Sequence, residues 1–359
     1  MDLGRPCIAR VRARQRARLL PARHAAPQPG RHGAGLHRRR RARVAVDRAV
    51  LRGRAGRRAR ARRAGRGVRR LTGQAITLAL QPRIEAALAA LRHGSGERCL
   101  SDHAFSNLYL FRAAHEYRFL PGDWPGVAGR TYDGARHFMP LFDIAAAPAE
   151  VLRDLIASHD CLYPVASRSV QALTGIGFVA TASDDDADYL YDAGTFRDYA
   201  GRSLAKKRNL VRQFLAAHAP RALPFDASLA DAACQVLAGW MAHKRKGEGE
   251  ADQHACLEAI HHAARFGLEG FVHFEGDLPI AFLLAQELQP GVFAVRFAKG
   301  LDSHVGVYPC MFQHFCRHFG RPVLWLNFEQ DMGLAGFRRS KRSYRPSALL
   351  PKWRVTLPD

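Results

Sequence analysis

The residue types best suited to chemistry crowd the end of the chain, where Asn327-Phe-Glu-Gln-Asp331 is followed by Arg338, Lys341, Tyr344 and Arg345. Glu329 or Asp331 would serve as a general base toward an attacking amine or hydroxyl, provided burial brings its pKa toward neutrality. Lys341, with Lys299 and Tyr308 upstream, supplies groups that can stabilise a developing oxyanion or protonate a leaving group. Asn327, Gln330, Arg338 and Tyr344 add hydrogen-bonding and cationic contacts for a substrate or donor. The same charges would also satisfy one another as an ion-pair network of Glu329, Asp331, Arg338 and Lys341. Spacing alone leaves both readings open.

These residues need a rigid support. Leu324-Trp-Leu326 predicts a buried strand, the polar cluster after it a turn at the strand's carboxyl end, and the following residues a short helix closed by Pro346. Open sheets place ligands at that end of a strand. A second basic group comes from Gly201-Arg-Ser-Leu-Ala-Lys-Lys-Arg-Asn209. On a helix it puts Arg202, Lys206 and Asn209 on one face, with Lys207 and Arg208 beside them, a pattern suited to phosphate or carboxylate. Trp240 and Lys244 share another helix face, as a core anchor and a snorkelling neighbour.

Two further patterns, Cys310/His314/His318 and His254/Glu258/His262, have helical ligand spacing. A metal site also needs a fourth ligand and second-shell partners, so packing is the expectation for both and no metal site is predicted. The chain has no Gly-x-Ser-x-Gly elbow, P-loop or Cys-x-x-Cys pair.

Upstream, residues 76–92 read as an amphipathic helix, 107–111 and 117–119 as aromatic strands, and 121–126 as a Pro/Gly turn. Residues 138–142 read as a strand, 148–159 as a helix and 177–182 as a strand. Asp184-Asp185-Asp186 reads as an exposed linker, and a lobe boundary is expected there, dividing 71–184 from 185–359. The second lobe is expected to open with helices at 196–217, 229–246 and 252–266. A meander of strands follows at 269–274, 280–287 and 292–298, then a helix over 308–318, the strand at 323–326, a short helix and a final strand near 353–357.

The run from Asn327 to Pro346 resembles the closing motif of a bacterial family related to the catalytic C-terminal domain of phosphatidylglycerol lysyltransferase. Further matches are Ser101-Asp-His-Ala-Phe-Ser-Asn-Leu-Tyr-Leu-Phe-Arg112, Gly201 to Asn209, Trp240 with Lys244, and Phe297-Ala-Lys-Gly300 followed by Gly306-Val-Tyr308. They occur in the family's order across about residues 75–355. The resemblance implies an α/β (α+β) chain of two packed GNAT-like acyltransferase lobes, with mixed sheets flanked by helices. It also implies aminoacyl or acyl transfer, with acyl-CoA or aminoacyl-tRNA as co-substrate. The glycine turn from Lys299 to Tyr308 lacks the Arg/Gln-x-x-Gly-x-Gly/Ala spacing with which GNAT enzymes hold a pyrophosphate, which leaves the donor open. A non-catalytic binder of an anionic ligand, tRNA or a partner protein is the alternative.

Composition narrows the setting. The chain has 359 residues and a formal charge of +23, but residues 1–70 hold 24 Arg and only two acids, while residues 71–359 hold 31 basic and 30 acidic residues. The folded part is therefore close to neutral. Residues 1–70 contain no aromatic residue, Lys, Asn, Ser, Thr or Glu, so they lack the apolar groups that would offset ordering, and disorder is expected. That restricted alphabet is also what a misplaced start or shifted frame gives in GC-rich coding. No apolar run reaches transmembrane length, and the start has no apolar signal region. The seven scattered cysteines fit a reduced compartment. A cytoplasmic protein, with at most peripheral membrane contact, is expected.

Overall fold

The computed structural model describes residues 73–93, 98–245 and 252–358. The expectations for the Arg-rich segment and for a helix reaching Lys246 lie outside these residues.

Two mixed sheets form the frame, each of seven strands among the described residues. The first contains β1 (Gln74–Ala75), β2 (Arg118–Leu120), β3 (Gly126–Arg130), β4 (Arg136–Pro140), β5 (Cys161–Val165) and β6 (Val179–Ala182). The second contains β7 (Asp188–Asp192), β8 (Arg221–Pro224), β9 (Leu268–Glu275), β10 (Leu278–Gln289), β11 (Val292–Gly300), β12 (Trp325–Asn327) and β13 (Ala348–Leu350). The last strand, β14 (Trp353–Thr356), returns to the first sheet.

Both sheets are built on one plan. In the first, β2, β3 and β4 form an antiparallel meander and β5 lies parallel to β4 after the helix α3 (Ala149–Ser158). In the second, β9, β10 and β11 form the meander and β12 lies parallel to β11 after α10 (Val307–His318). The strand orders are β1-β2-β3-β4-β5-β14-β6 and β13-β7-β12-β11-β10-β9-β8. One strand therefore crosses over: the chain enters the second sheet at β7 and returns to the first only with β14. β7 lies between β12 and β13, and β14 lies between β5 and β6. This is a pair of GNAT-like lobes in which the last strand of the chain completes the first sheet. The final strand, expected to complete the second lobe, pairs in the first, because its short half-buried pattern suits either sheet and only the path of the chain selects one.

The remaining helices are α1 (Gln81–His93), α2 (Phe105–Leu110), α4 (Ser167–Gly175), α5 (Gly194–Asp198), α6 (Ala205–Ala217), α7 (Ala230–His243), α8 (Gln253–His261), α9 (Ala263–Phe266) and α11 (Ala335–Arg342). Alternation along β10 explains why the second sheet is covered on both faces. Leu283 and Ala285 face a core with Phe214 of α6 and Phe315 of α10, while Phe282 and Leu284 face one with Leu237 of α7 and Ile260 of α8. That second core also takes in Leu88, Leu108, Phe119 and Met139, so first-lobe elements close over the second sheet. A separate core under α3 and α4 unites Leu152, Ile156 and Leu173 with Phe138, Leu162 and Val355.

Two further predicted elements take another form, and β1, β3, β5, α4, β7, β8 and β13 fall where the sequence predicts no element. Residues 107–111, read as an aromatic strand, lie in and just after α2, whose Phe105, Leu108, Tyr109 and Leu110 are all buried. A short element buried on every side shows no clean period of either kind. The basic helix expected from 196 breaks into α5 and α6, because Tyr199 takes a left-handed conformation (φ 48°) before Gly201 (φ 80°). Arg208 stabilises the break by donating to the carbonyls of Tyr199 (2.6 Å) and Gly201 (3.3 Å). The six described cysteines are buried and form no disulfide with one another, and no helix among the described residues is long and apolar enough to cross a membrane.

Candidate active site where the chain crosses between the sheets

β11 and β12 pair only from Val292↔Trp325 to Ala294↔Asn327 and then diverge, since β11 runs on to Gly300 while the other chain turns. Arg296 stands just beyond the last pair and reaches across the gap to Glu329, with Nη1 2.6 Å from Oε1. Arg296 is held from behind by Gln286 Oε1 (3.1 Å) and the Ser101 carbonyl (2.9 Å).

The turn that carries Glu329 is strained and pinned. Glu329 has φ 57°, a region that costs a non-glycine residue about 1–3 kcal/mol. The Lys341 ammonium offsets this by donating to the carbonyls of Phe328 (2.5 Å), Glu329 (3.1 Å) and Gln330 (2.6 Å). Asn327, wholly buried, accepts from the Glu329 N–H through Oδ1 (2.7 Å) and donates to Asp188 through Nδ2 (3.0 Å). Burial pushes the Glu329 carboxyl up from its ordinary value against the pull of Arg296, although 22% of its side chain remains open to solvent. Burial likewise lowers Lys341 to about 8, with Glu329 and Asp188 pulling the other way.

Asp331 has the opposite character. It is wholly buried and accepts from Arg338 Nε (2.7 Å) and Nη2 (2.9 Å), the Tyr189 hydroxyl (2.6 Å) and the Gly333 N–H (2.8 Å). Burial alone would raise its pKa, but these donors outweigh it and hold the carboxyl at about 2. Arg338 also pairs with Asp185, and the Met332 N–H donates to the Asp185 carbonyl (2.9 Å), so the acidic segment before β7 is tied to the site.

Beneath the turn lies a buried charge cluster absent from the sequence reading. Lys352, 1% exposed, contacts Asp102 (2.6 Å), Asp188 (2.8 Å) and Gln330 Oε1 (2.5 Å). Ser101 donates to Asp188 through its N–H (2.7 Å) and its hydroxyl (2.9 Å). Burial would lower Lys352, but the two carboxylates outweigh it and hold its pKa well above ordinary. Asp188 and Lys352 stand where the chain crosses from one sheet to the other.

The other sequence candidates gather elsewhere. Lys299 pairs with Asp252 (2.8 Å) and lies 4.0 Å over the Trp240 ring; Tyr308 accepts from the Gly300 N–H (3.2 Å), and Lys244 pairs with Asp302 (2.8 Å). This second group lies around the far end of β11 and the loop before α10. Arg202, Lys206 and Asn209 are exposed, while Lys207 sits 3.6 Å over the ring of buried Tyr344 and burial lowers it to about 8. Of the histidine patterns, Glu258 forms a two-bonded pair with Arg112 (2.7 and 2.8 Å) and His314 packs against Phe271 and His318.

Residues 96–356 match the family described as phosphatidylglycerol lysyltransferase, C-terminal. The chain belongs to that family. A conserved protein of unknown function from Bacteroides thetaiotaomicron is 25% identical, with a TM-score of 0.67 over 80% of this chain and 100% of that one. L-PGS from Bacillus licheniformis is 14% identical, with a TM-score of 0.53 over 80% and 94% of the two chains. FemX is 9% identical, with a TM-score of 0.50 over 81% and 97%. Comparison with curated proteins gives no match. The family and the fold together mark an aminoacyl or acyl transferase related to lysyl-phosphatidylglycerol synthase.

For a member of the phosphatidylglycerol lysyltransferase C-terminal family, the sequence reading found the Glu329 turn but missed its supports. Ser101 and Asp102 lay inside a quoted motif, which was a usable signal. Arg296, Asp188 and Lys352 sit in ordinary strand-like surroundings, and nothing local marks them.

Proposed function

We propose that the protein transfers an aminoacyl or acyl group from an activated ester or thioester to an amine or hydroxyl, with Glu329 as the general base. One observation carries the assignment. Glu329 is the carboxylate held in an unfavourable backbone conformation at the divergence of β11 and β12, partly open, with burial raising its affinity for a proton. Asp331, held at about 2 by Arg338 and Tyr189, acts instead as the anchor of the turn.

In this scheme the nucleophile attacks the donor's carbonyl carbon while its proton passes to Glu329 Oε2. The tetrahedral intermediate then expels the leaving oxygen or sulfur, which takes the proton from Glu329 Oε2 and so regenerates the base. Arg296 positions Glu329 by holding Oε1. Lys299 and Tyr308 line the donor side near the loop before α10, and Arg202, Lys206, Arg208 and Asn209 offer the exposed basic face that an anionic donor requires. Aminoacyl-tRNA is the donor we favour, since the glycine turn departs from the acyl-CoA pattern and the relatives include L-PGS. The acceptor is an amine or hydroxyl compound reached from the cytoplasm, either soluble or presented at a membrane surface.

The test is transfer of a radiolabelled aminoacyl group from charged tRNA, or of an acyl group from CoA, by the full chain and by Glu329→Gln. Turnover in the wild type that collapses in the variant supports the reading. Donor binding that survives unchanged in both proteins, with no turnover in either, would instead mark a non-catalytic binder.

A further inference from the structure

His218, Glu275 and His304 come from three separate elements: the residue just after α6, the end of β9, and the loop between β11 and α10. Their nitrogen and oxygen ligand atoms all lie within 4.8 Å of one another. Glu275 Oε1 is 2.7 Å from His218 Nδ1 and its Oε2 is 2.9 Å from His304 Nε2, so one carboxylate sits between two imidazole nitrogens that both point at it. Among the described residues, this is the group of three His, Cys, Asp or Glu side chains drawn together in this way.

We propose that these three residues bind a divalent first-row metal ion, of which Zn2+ is the best fit, and that the ion staples the basic helix α6 to the loop that opens α10. Two imidazoles and a carboxylate form a borderline donor set suited to Zn2+, with a fourth position left for water. Ligands about 2.0 Å from a tetrahedral ion stand about 3.3 Å apart, so the two imidazole–carboxylate contacts need to open by about half an ångström while the widest separation, up to 4.8 Å, closes by about 1.5 Å. Glu275 is 39% exposed and His218 24%, which leaves both an entry path and the freedom to open.

The second shell is already in place. His304, only 7% exposed, has its Nδ1 2.9 Å from the Ser303 hydroxyl. When Nε2 takes the metal, the proton moves to Nδ1 and is donated to Ser303 Oγ, the outer hydrogen bond that fixes a ligating histidine. The His218 ring packs 5.0 Å from Phe214 and 4.8 Å from the His304 ring, which limits its rotation.

The location gives the ion a purpose. Gly306, in the same loop, lies so close to α6 that a Cβ there would stand 2.5 Å from the Leu210 carbonyl oxygen. A metal at His218 and His304 would lock this contact, and with it the position of the helix carrying Lys206 and Arg208 relative to Lys299 and Tyr308.

The full chain, stripped with chelator, is titrated with Zn2+ and Co2+ and followed by thermal melting, bound-metal analysis and visible absorption. The expected result is one ion per chain, a tetrahedral Co2+ spectrum without sulfur charge-transfer bands, and a melting temperature raised by several degrees and reversed by chelator. Glu275→Gln and His218→Ala should each weaken binding by at least about tenfold with an unchanged far-ultraviolet spectrum. No saturable uptake, uptake that both variants retain, or a Co2+ spectrum with thiolate charge transfer would each overturn the site. The last of these reads on the wild type alone, so it stands even if a variant fails to fold.

Discussion

The Lys352 ammonium lies 2.8 Å from the Asp188 carboxylate, and each residue stands at one of the two points where the chain passes between the sheets. The pair, with Asp102 as third member, therefore fastens both crossings directly beneath the Glu329 turn through Gln330. Removing the cation leaves two buried carboxylates without their counter-charge. Lys352→Met should cost about 3–5 kcal/mol in denaturant unfolding, and adding Asp188→Asn should recover part of it. A loss under about 1 kcal/mol would mean that water reaches the cluster.

Glu329 and Asp331 should respond differently to amidation. Glu329→Gln should lower kcat by about 10²–10⁴-fold, as expected for loss of a general base, and should also lower the melting temperature because the buried Arg296 loses its carboxylate. Asp331→Asn should lower stability, because Arg338 and Tyr189 lose the charge they donate to. Since burial raises the Glu329 carboxyl, the acid limb of kcat/KM should fall above the ordinary glutamate value of about 4.3, and a limb at or below it would remove Glu329 from the role.

Acid stability should report Asp331. Its folded pKa of about 2 lies below the ordinary 3.8, so the folded state binds fewer protons than the unfolded chain between those values. The stabilisation is present above about 3.8 and is lost as pH falls through about 2, an effect of roughly 2 kcal/mol. Unfolding curves from pH 5 to 2 should show this slope in the wild type and a flatter one in Asp331→Asn.

The exposed face of α6 should act on donor affinity alone. Arg202→Ala combined with Lys206→Ala should weaken binding of a phosphate-rich donor by about tenfold at low salt and by less at high salt, with unchanged melting. An equal loss at all salt concentrations would assign the face to packing.

Gly306→Ala should destabilise the chain by about 1–3 kcal/mol in thermal or denaturant unfolding. It combines φ 99° with a Cβ 2.9 Å from that of Phe214 and 2.5 Å from the Leu210 carbonyl oxygen. Neutral behaviour would show that the loop can withdraw from α6.

The sequence by itself determined the long periodic elements and the Glu329 turn, because both are written in neighbouring residues: the meander from 268 to 300, the helices over α7 and α10, and a polar cluster placed straight after a strand. It also determined the two-lobed fold class, through ordered motifs. It predicted no strand at β7 and could not determine that β14 joins the first sheet, since a strand of four residues carries no label for its partner. It read α2 as a strand because burial on all sides removes the periodic signal. The tertiary structure alone decided that Asp188 and Lys352 would meet, that Arg296 would hold Glu329, and that Asp331 rather than Glu329 would be saturated with donors. Each of those outcomes depends on charges far apart in sequence being desolvated together, and desolvation is a property of the assembled core.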